Sequence, residues 1–261
     1  MTNGGRVVII TGSSSGIGKA SAILLASQGW RVVVNCSSSV AAANAVVDEI
    51  KTNGGQAIVV QADVGKDEEC KKLVDKAIEA FGRLDAVVNN AGTTKFNAHT
   101  NLRGLSTEDF LRIYSVNVVA PYNMVKYAEP HLRSAGNAAV VMVSSIAGVM
   151  GVGSSIAYAA SKGALNTMTL SLARNLGPEI RVNAVCPGFI EGEWLRNGLG
   201  DKAYEAARNN YISTTPLRAT VTAEEVAECV AFFCSSASKV TGEVMMIDAG
   251  THLGSAPAKA R

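Results

Sequence analysis

The sequence predicts an α/β fold: a doubly wound parallel sheet of about seven strands, helices on both faces, and one domain over residues 1–261. Three observations lead there. Short β-branched runs alternate with longer helical patterns, the signature of right-handed crossovers between parallel strands. Several runs are almost wholly apolar, as strands covered on both faces must be. A glycine-rich turn joins the first run to the first helix, at the strand ends where such sheets bind ligands.

Strands are expected at residues 7–10, 31–34, 57–60, 84–88, 139–143, 181–185 and 243–247. Helices are expected between them. The first runs from Gly16 to about Gln28 and stops at Gly29, and the second covers 40–51 before Asn53-Gly54-Gly55. The third covers 67–81 before Gly82. A long helix runs from about Thr107, read as its N-cap, to Arg133, with Glu108 and Asp109 in its first turn. Another covers 156–176 before Gly177-Pro178, and the last covers 223–234. Residues 93–106, a lid at 188–215 and a tail at 251–261 read as irregular.

Composition excludes several classes. The chain is 48% hydrophobic with net charge +2 and carries no basic run, which speaks against a nucleic-acid partner. No stretch of about 20 apolar residues suggests a membrane span, and no charged leader opens the sequence. The five cysteines include no Cys-x-x-Cys pair and fit reduced thiols in a large domain. The expectation is a cytoplasmic protein with no bound metal.

After the first strand comes Thr11-Gly12-Ser13-Ser14-Ser15-Gly16-Ile17-Gly18. Glycines let backbone approach a pyrophosphate closely, and the following helix points free N–H groups and its positive end at the phosphates. A plain tight turn is the competing reading; the order strand, loop, helix favours the phosphate site. The loop does not end in Gly-Lys-Ser/Thr, so it is no nucleoside-triphosphate loop.

Tyr158 and Lys162 stand four apart on a helix and share one face. A free phenol, with its pKa near 10, shuttles protons poorly at neutral pH. A neighbouring ammonium favours the phenolate, which makes the pair a tunable acid and base. Ser145, just past the fifth strand, places a hydroxyl where a substrate oxygen could bond; it also reads as a loop cap. Asn117 lies inside a helical pattern four residues before Pro121, whose missing N–H leaves the carbonyl of residue 117 free. That suggests a helix break holding a water beside the site, or a proline kink without chemistry.

Taken in order, Thr11-Gly12-x-x-x-Gly16-x-Gly18, Asp63-Val64, Asn89-Asn90-Ala91-Gly92, Asn117, Ser145, Tyr158-x-x-x-Lys162 and Pro187-Gly188 resemble the short-chain dehydrogenase/reductase family. The likeness is greatest to its 3-oxoacyl-carrier-protein reductase and glucose-dehydrogenase-like members, and it runs from about Arg6 to Gly250. The resemblance implies a Rossmann fold and hydride transfer between a nicotinamide cofactor and a carbonyl or secondary alcohol. It implies that Tyr158 moves the proton, Lys162 lowers its pKa and holds the ribose, Ser145 orients the substrate oxygen, and Asn117 holds a relay water. Gly12, Ser14, Ser15, Gly16, Ile17 and Gly18 would carry the pyrophosphate. Asp63 and Val64 would flank the adenine, Asn90, Ala91 and Gly92 would line the cleft, and Pro187, Gly188 and Ile190 would sit near the carboxamide.

Departures and rivals bear on specificity. Gly192, two residues after Pro187-Gly188-Phe189-Ile190, stands where relatives often carry a carboxamide-holding Thr. Glu179 is acidic where carrier-protein enzymes tend to be basic, which weighs against the carrier-protein reading. Enoyl reductases usually space Tyr and Lys more widely, and non-catalytic dinucleotide sensors tend to lose one of the two. Phe189, Trp194, Leu195, Leu199 and Tyr211 from the lid, with Thr94, Phe96, Val149 and Met150 opposite, read either as pocket lining or as core. The second strand continues into Asn35, Cys36 and Ser37, with Cys36 where NAD-selective relatives usually carry Asp. No acid lies between Arg31 and Val47, so NADP(H) is favoured with NAD(H) tolerated. Leu165, Met168 and Leu172 cannot all be expected to face one sheet, and relatives pair this helix across a two-fold axis; a homotetramer follows.

Overall fold

The computed structural model describes residues 5–254; the tail beyond 254 lies outside the described residues. One parallel sheet organises the chain, in the order β3-β2-β1-β4-β5-β6-β7. The strands are β1 (Val7–Ile10), β2 (Arg31–Cys36), β3 (Gln56–Gln61), β4 (Ala86–Asn89), β5 (Ala138–Val143), β6 (Ile180–Pro187) and β7 (Val244–Ile247). Each expected strand is present, and four run one to three residues longer because neighbouring strands extend the ladder. β4 starts later, at Ala86. Just before it, the Asp85 carboxylate takes the Val7 N–H at 2.8 Å.

Alternation along each strand divides the core in two. Val8, Ile10, Val32 and Val34 pack under α1 (Gly16–Ser27), α2 (Val40–Thr52) and the last long helix, Ala223–Ser235. Val7, Ile9, Val33 and Val140 face α3 (Asp67–Phe81) and the helices Ala120–Ala135 and Ile156–Leu176. The order of strands reverses between β1 and β4, so the carboxyl ends there form the crevice where such sheets bind ligands.

The long helix is corrected in two ways. Its cap is Ser106, not Thr107: Asp109 N–H donates to Ser106 Oγ at 3.2 Å, and the Asp109 carboxylate accepts the Ser106 N–H at 2.9 Å. The acid three residues on closes this reciprocal box. The helix is also not continuous. α4 (Thr107–Tyr114) passes through a π turn (Ser115–Val119) into α5 (Ala120–Ala135). Within the turn Ala120 N–H bonds the Ser115 carbonyl, five residues back. Pro121 lacks the N–H that an α turn needs there.

Past β5 lie a short α6 (Ala147–Met150) and then α7 (Ile156–Leu176). Leu165 is buried, and Met168 and Leu172 pack against the same core, so the expectation that they could not all face one way is overturned. The large apolar α7 residue left exposed is Leu170. The lid, expected to be irregular, folds into α8 (Glu193–Leu199) and α9 (Asp201–Thr214), followed by α10 (Ala223–Ser235). Among the α9 side chains only Tyr204 is buried, so the sequence carries little apolar periodicity there. Among the described residues no helix is long and apolar enough to cross a membrane.

Candidate active site

The expected site residues meet at the carboxyl ends of β1, β4, β5 and β6. α7 carries Tyr158 and Lys162, and Ser155 caps it by accepting the Tyr158 N–H at 3.2 Å. That cap fixes the phenol at the helix entrance. Lys162 Nζ donates to the Val143 carbonyl at the end of β5, at 2.8 Å, and lies 5.6 Å from the centre of the Tyr158 ring. Ser145 follows two residues after Val143, and its Oγ accepts the Ala147 N–H at 3.1 Å.

Burial sets the electrostatics. It pulls the Lys162 ammonium down to about 8, and the nearby Cys186 thiol works weakly the other way. Protein crowding pushes the Tyr158 phenol up to about 12, although part of the residue still faces the cleft; hydrogen bonding with Ser145 opposes that rise. Burial therefore shifts both groups toward their neutral forms: at neutral pH the phenol stays protonated, and the ammonium, still the main form of Lys162, is easier to discharge than a free one. The cation of an oxidised cofactor would favour the phenolate, so the pair is poised to change state when the site is loaded.

Asn117 is buried, and the π turn aims its side chain inward. Its Oδ1 accepts the Thr93 N–H at 2.8 Å, and its Nδ2 donates to the Thr93 carbonyl and to Ser161 Oγ, both at 3.0 Å. Ser161 Oγ in turn donates to the Tyr158 carbonyl at 2.7 Å. The side chain thus ties the 93–94 strand exit to the helix of Tyr158 and Lys162. Gly92 lies against both Asn117 and Lys162.

The glycine loop fits a pyrophosphate. Gly18 packs so closely that a Cβ there would come within 2.6 Å of Asn90 Nδ2 and of the Gly12 carbonyl. Asn90 Nδ2 donates to the carbonyls of Thr11 and Gly12, both at 2.9 Å, which locks the loop to β4. Ser15 makes no side-chain cap, and the first turn of α1 carries no acid, so its N–H groups and positive end face the open side beside Ser14, Gly16 and Ile17. Ala91 N–H is held by Thr11 Oγ1 at 3.0 Å.

Asn35 and Cys36 are placed differently from cofactor contacts. Asn35 is buried; its Oδ1 accepts the Gly12 N–H at 3.0 Å, and its Nδ2 donates to the Val60 and Ala62 carbonyls. It shapes the loop from behind. The Cys36 side chain is 2% exposed and belongs to the core. Ser37 is the first exposed residue past β2. Asp63 accepts the Gly65 N–H at 3.0 Å, next to the largely buried Val64. On the far side Pro187 ends β6, its carbonyl accepting the Ile146 N–H at 3.1 Å, and Gly188 N–H bonds Ile247. Ile190 bridges to Val221. Glu191, the neighbour of the Gly192 that stands where relatives often carry Thr, is bound by Arg208 at 2.8 Å and Thr220 at 2.5 Å.

Sequence reasoning passed over Thr11 and Ser161 as working side chains. Each stands inside a quoted motif, beside Gly12 and between Tyr158 and Lys162, and that position is the signal that could have found them. The lid aromatics divide. Phe189 packs on Tyr204 and Tyr211 at 5.4 and 5.6 Å and is internal to the lid. Trp194 instead lies 6.2 Å from Tyr158 and 5.4 Å from Phe96.

A doubly wound sheet with a glycine-loop helix and a Tyr–Lys pair at its switch point defines a nicotinamide-dependent oxidoreductase. Similarity to known proteins agrees. Residues 12–252 match the family model described as enoyl-(acyl carrier protein) reductase. A protein of Streptomyces violaceoruber, named as ketoacyl reductase 2 of the granaticin polyketide synthase, is 43% identical over 249 residues, covering 95% of this chain and 96% of that one. A protein of Zymoseptoria tritici named as a tetrahydroxynaphthalene reductase is 37% identical over 256 residues, covering 94% and 93%. A solved short-chain dehydrogenase/reductase from Burkholderia xenovorans superposes with a TM-score of 0.89 at 39% identity, over 97% of this chain and 100% of that one. The chain belongs to the short-chain dehydrogenase/reductase family. It is an NAD(P)-dependent oxidoreductase acting on carbonyl or alcohol groups of a small-molecule substrate.

Proposed function

We propose that the protein reduces a ketone to a secondary alcohol, with NADP(H) preferred, Tyr158 as the proton donor, and residues 188–215 as the substrate lid. The placement of Lys162 5.6 Å from the Tyr158 ring, held there by the Val143 carbonyl two residues before Ser145, carries this reading. When bound, the cofactor supplies the hydride to the carbonyl carbon. The chain's residues do the rest. Ser145 and Tyr158 hold the carbonyl oxygen, Tyr158 gives that oxygen its proton, and Lys162 steadies the resulting phenolate. Asn117 holds Thr93 and Ser161 in register and so keeps this helix face in position. The protonated form of both groups at neutral pH, a phenol beside an ammonium, suits the reductive direction, as do the reductase names of the relatives.

The family model's description names an enoyl reductase, but the four-residue Tyr158–Lys162 spacing favours carbonyl chemistry. A second reading, reduction of a 3-oxoacyl group on a carrier protein, draws on the ketoacyl reductase relative. Against it, Arg133 at the end of α5 is already held between Glu129 and Glu179, leaving this corner acidic. A cytoplasmic homotetramer remains part of the proposal. The test is a carbonyl panel assayed with NADPH and with NADH; failure to oxidise either cofactor with any ketone would overturn the reading.

A further inference from the structure

The wall around Tyr158 is made of rings and bare apolar side chains. Trp194 reaches from α8 over the phenol, and Phe96 packs on it from the 93–101 segment. The Phe96 ring rests on the backbone of Gly198, so close that a Cβ there would collide with it. Trp194 nevertheless leaves 50% of its surface open. Val149, Met150 and Val152, on the segment that follows Ser145, are also exposed. The polar groups beside this wall bond one another instead of facing it. Thr94 Oγ1 and Ser154 Oγ are 2.8 Å apart, Lys95 binds Asp109 at 2.6 Å, and Arg112 Nη1 donates to Thr93 Oγ1 at 3.0 Å. What is left to orient a ligand is the pair of hydroxyls on Ser145 and Tyr158. An apolar, ring-lined surface with two convergent polar groups is the chemistry of a specific ligand site, and open rings of this size next to reacting groups are covered by the ligand's own body.

We propose that the substrate is a flat, fused-ring ketone, whose aromatic system lies against Trp194 and Phe96 while its carbonyl oxygen reaches Ser145 and Tyr158. This rests on the ketone-reductase reading above and names the substrate class for that site. Aromatic faces prefer offset or tilted neighbours, and the indole, tilted 44° to Tyr158 and 53° to Phe96, offers such a partner. A linear acyl chain gains nothing from these rings beyond its buried area.

The test compares 2-tetralone with 2-decalone, two bicyclic ketones of like size whose carbonyls are both unconjugated, and with acetoacetyl-N-acetylcysteamine. The measurement is kcat/KM with NADPH. The expected result is a preference of about 10-fold for 2-tetralone over 2-decalone, from two ring contacts. Trp194→Leu and Phe96→Leu should each bring that ratio down severalfold, mainly through KM, while Trp194→Phe should keep most of it. Because Trp194 is half exposed, its replacement leaves the core intact. Equal rates for the two bicyclic ketones, a ratio unmoved by Trp194→Leu, or faster turnover of the thioester than of 2-tetralone would each overturn the proposal and leave ketone reduction standing. Inactivity toward all three compounds would overturn both.

Discussion

Lys162 Nζ lies 5.6 Å from the centre of the Tyr158 ring while it donates a 2.8 Å hydrogen bond to the Val143 carbonyl. The lysine is thus fixed from below by β5, and the tyrosine from its own helix cap. Their relative position depends on both the strand end and the helix start. Substitution at Tyr158 should separate chemistry from binding. Tyr158→Phe keeps the ring and removes the proton, so kcat should fall by about 10²–10⁴-fold with little change in cofactor affinity measured by fluorescence titration. Activity within a few-fold of the parent would remove Tyr158 from the mechanism.

Lys162 also links stability to pH. Burial lowers its pKa to about 8, below the usual lysine value of 10.5. Between these values the unfolded chain binds more protons than the folded one, so this group makes stability rise with pH from about 8 toward 10.5. Lys162→Met should remove that contribution. Urea midpoints of the two proteins across this window should converge as pH rises; a gap that stays constant would argue against a depressed lysine.

Asn117→Ala would leave the Thr93 N–H, the Thr93 carbonyl and Ser161 without their partner in a buried place. An unpaired buried group costs about 1–3 kcal/mol, so thermal unfolding should begin several degrees lower. Asn117→Asp keeps the acceptor for Thr93 N–H but not the two donors, and should recover only part of the loss. A melting temperature equal to the parent's for Asn117→Ala would show that water replaces the side chain.

Cofactor preference should be read at Ser37 and not at Cys36. The thiol is in the core, and a carboxylate there would be desolvated. Ser37 is exposed at the strand end. The ratio of kcat/KM for NADPH over NADH should exceed one in the parent and fall below one in Ser37→Asp, because an acid repels the 2′-phosphate. A parent that strongly prefers NADH would show that a missing acid is a poor guide here.

Assembly is expected to use the apolar groups that the fold leaves bare on neighbouring helices, Leu111, Val119 and Tyr122 of the α4–α5 region and Leu170 of α7. Light scattering should report a tetramer at micromolar concentration, and the pair Tyr122→Glu with Leu170→Glu should give a smaller species. A monomeric parent would refute the expectation.

Local order was largely decided by sequence. The seven apolar runs, the glycine loop and the spacing of Tyr158 and Lys162 each depend on neighbours within a few residues, so period and turn chemistry reveal them. α3 and α7 have the expected bounds because Gly82 and Gly177 stop them locally. Tertiary structure decided what depends on distant partners. The π turn turns Asn117 toward Thr93 and Ser161, residues 24 and 44 positions away. Asn35 faces Val60 and Ala62, so its side chain builds the loop from behind. The lid helices bury little beyond Tyr204 and therefore leave a weak periodic trace. Phe189 and Trp194 are five residues apart in one segment, yet one closes the lid's interior and the other covers the phenol. An aromatic residue looks the same in sequence in either role, and only the surface it meets in the folded chain distinguishes them.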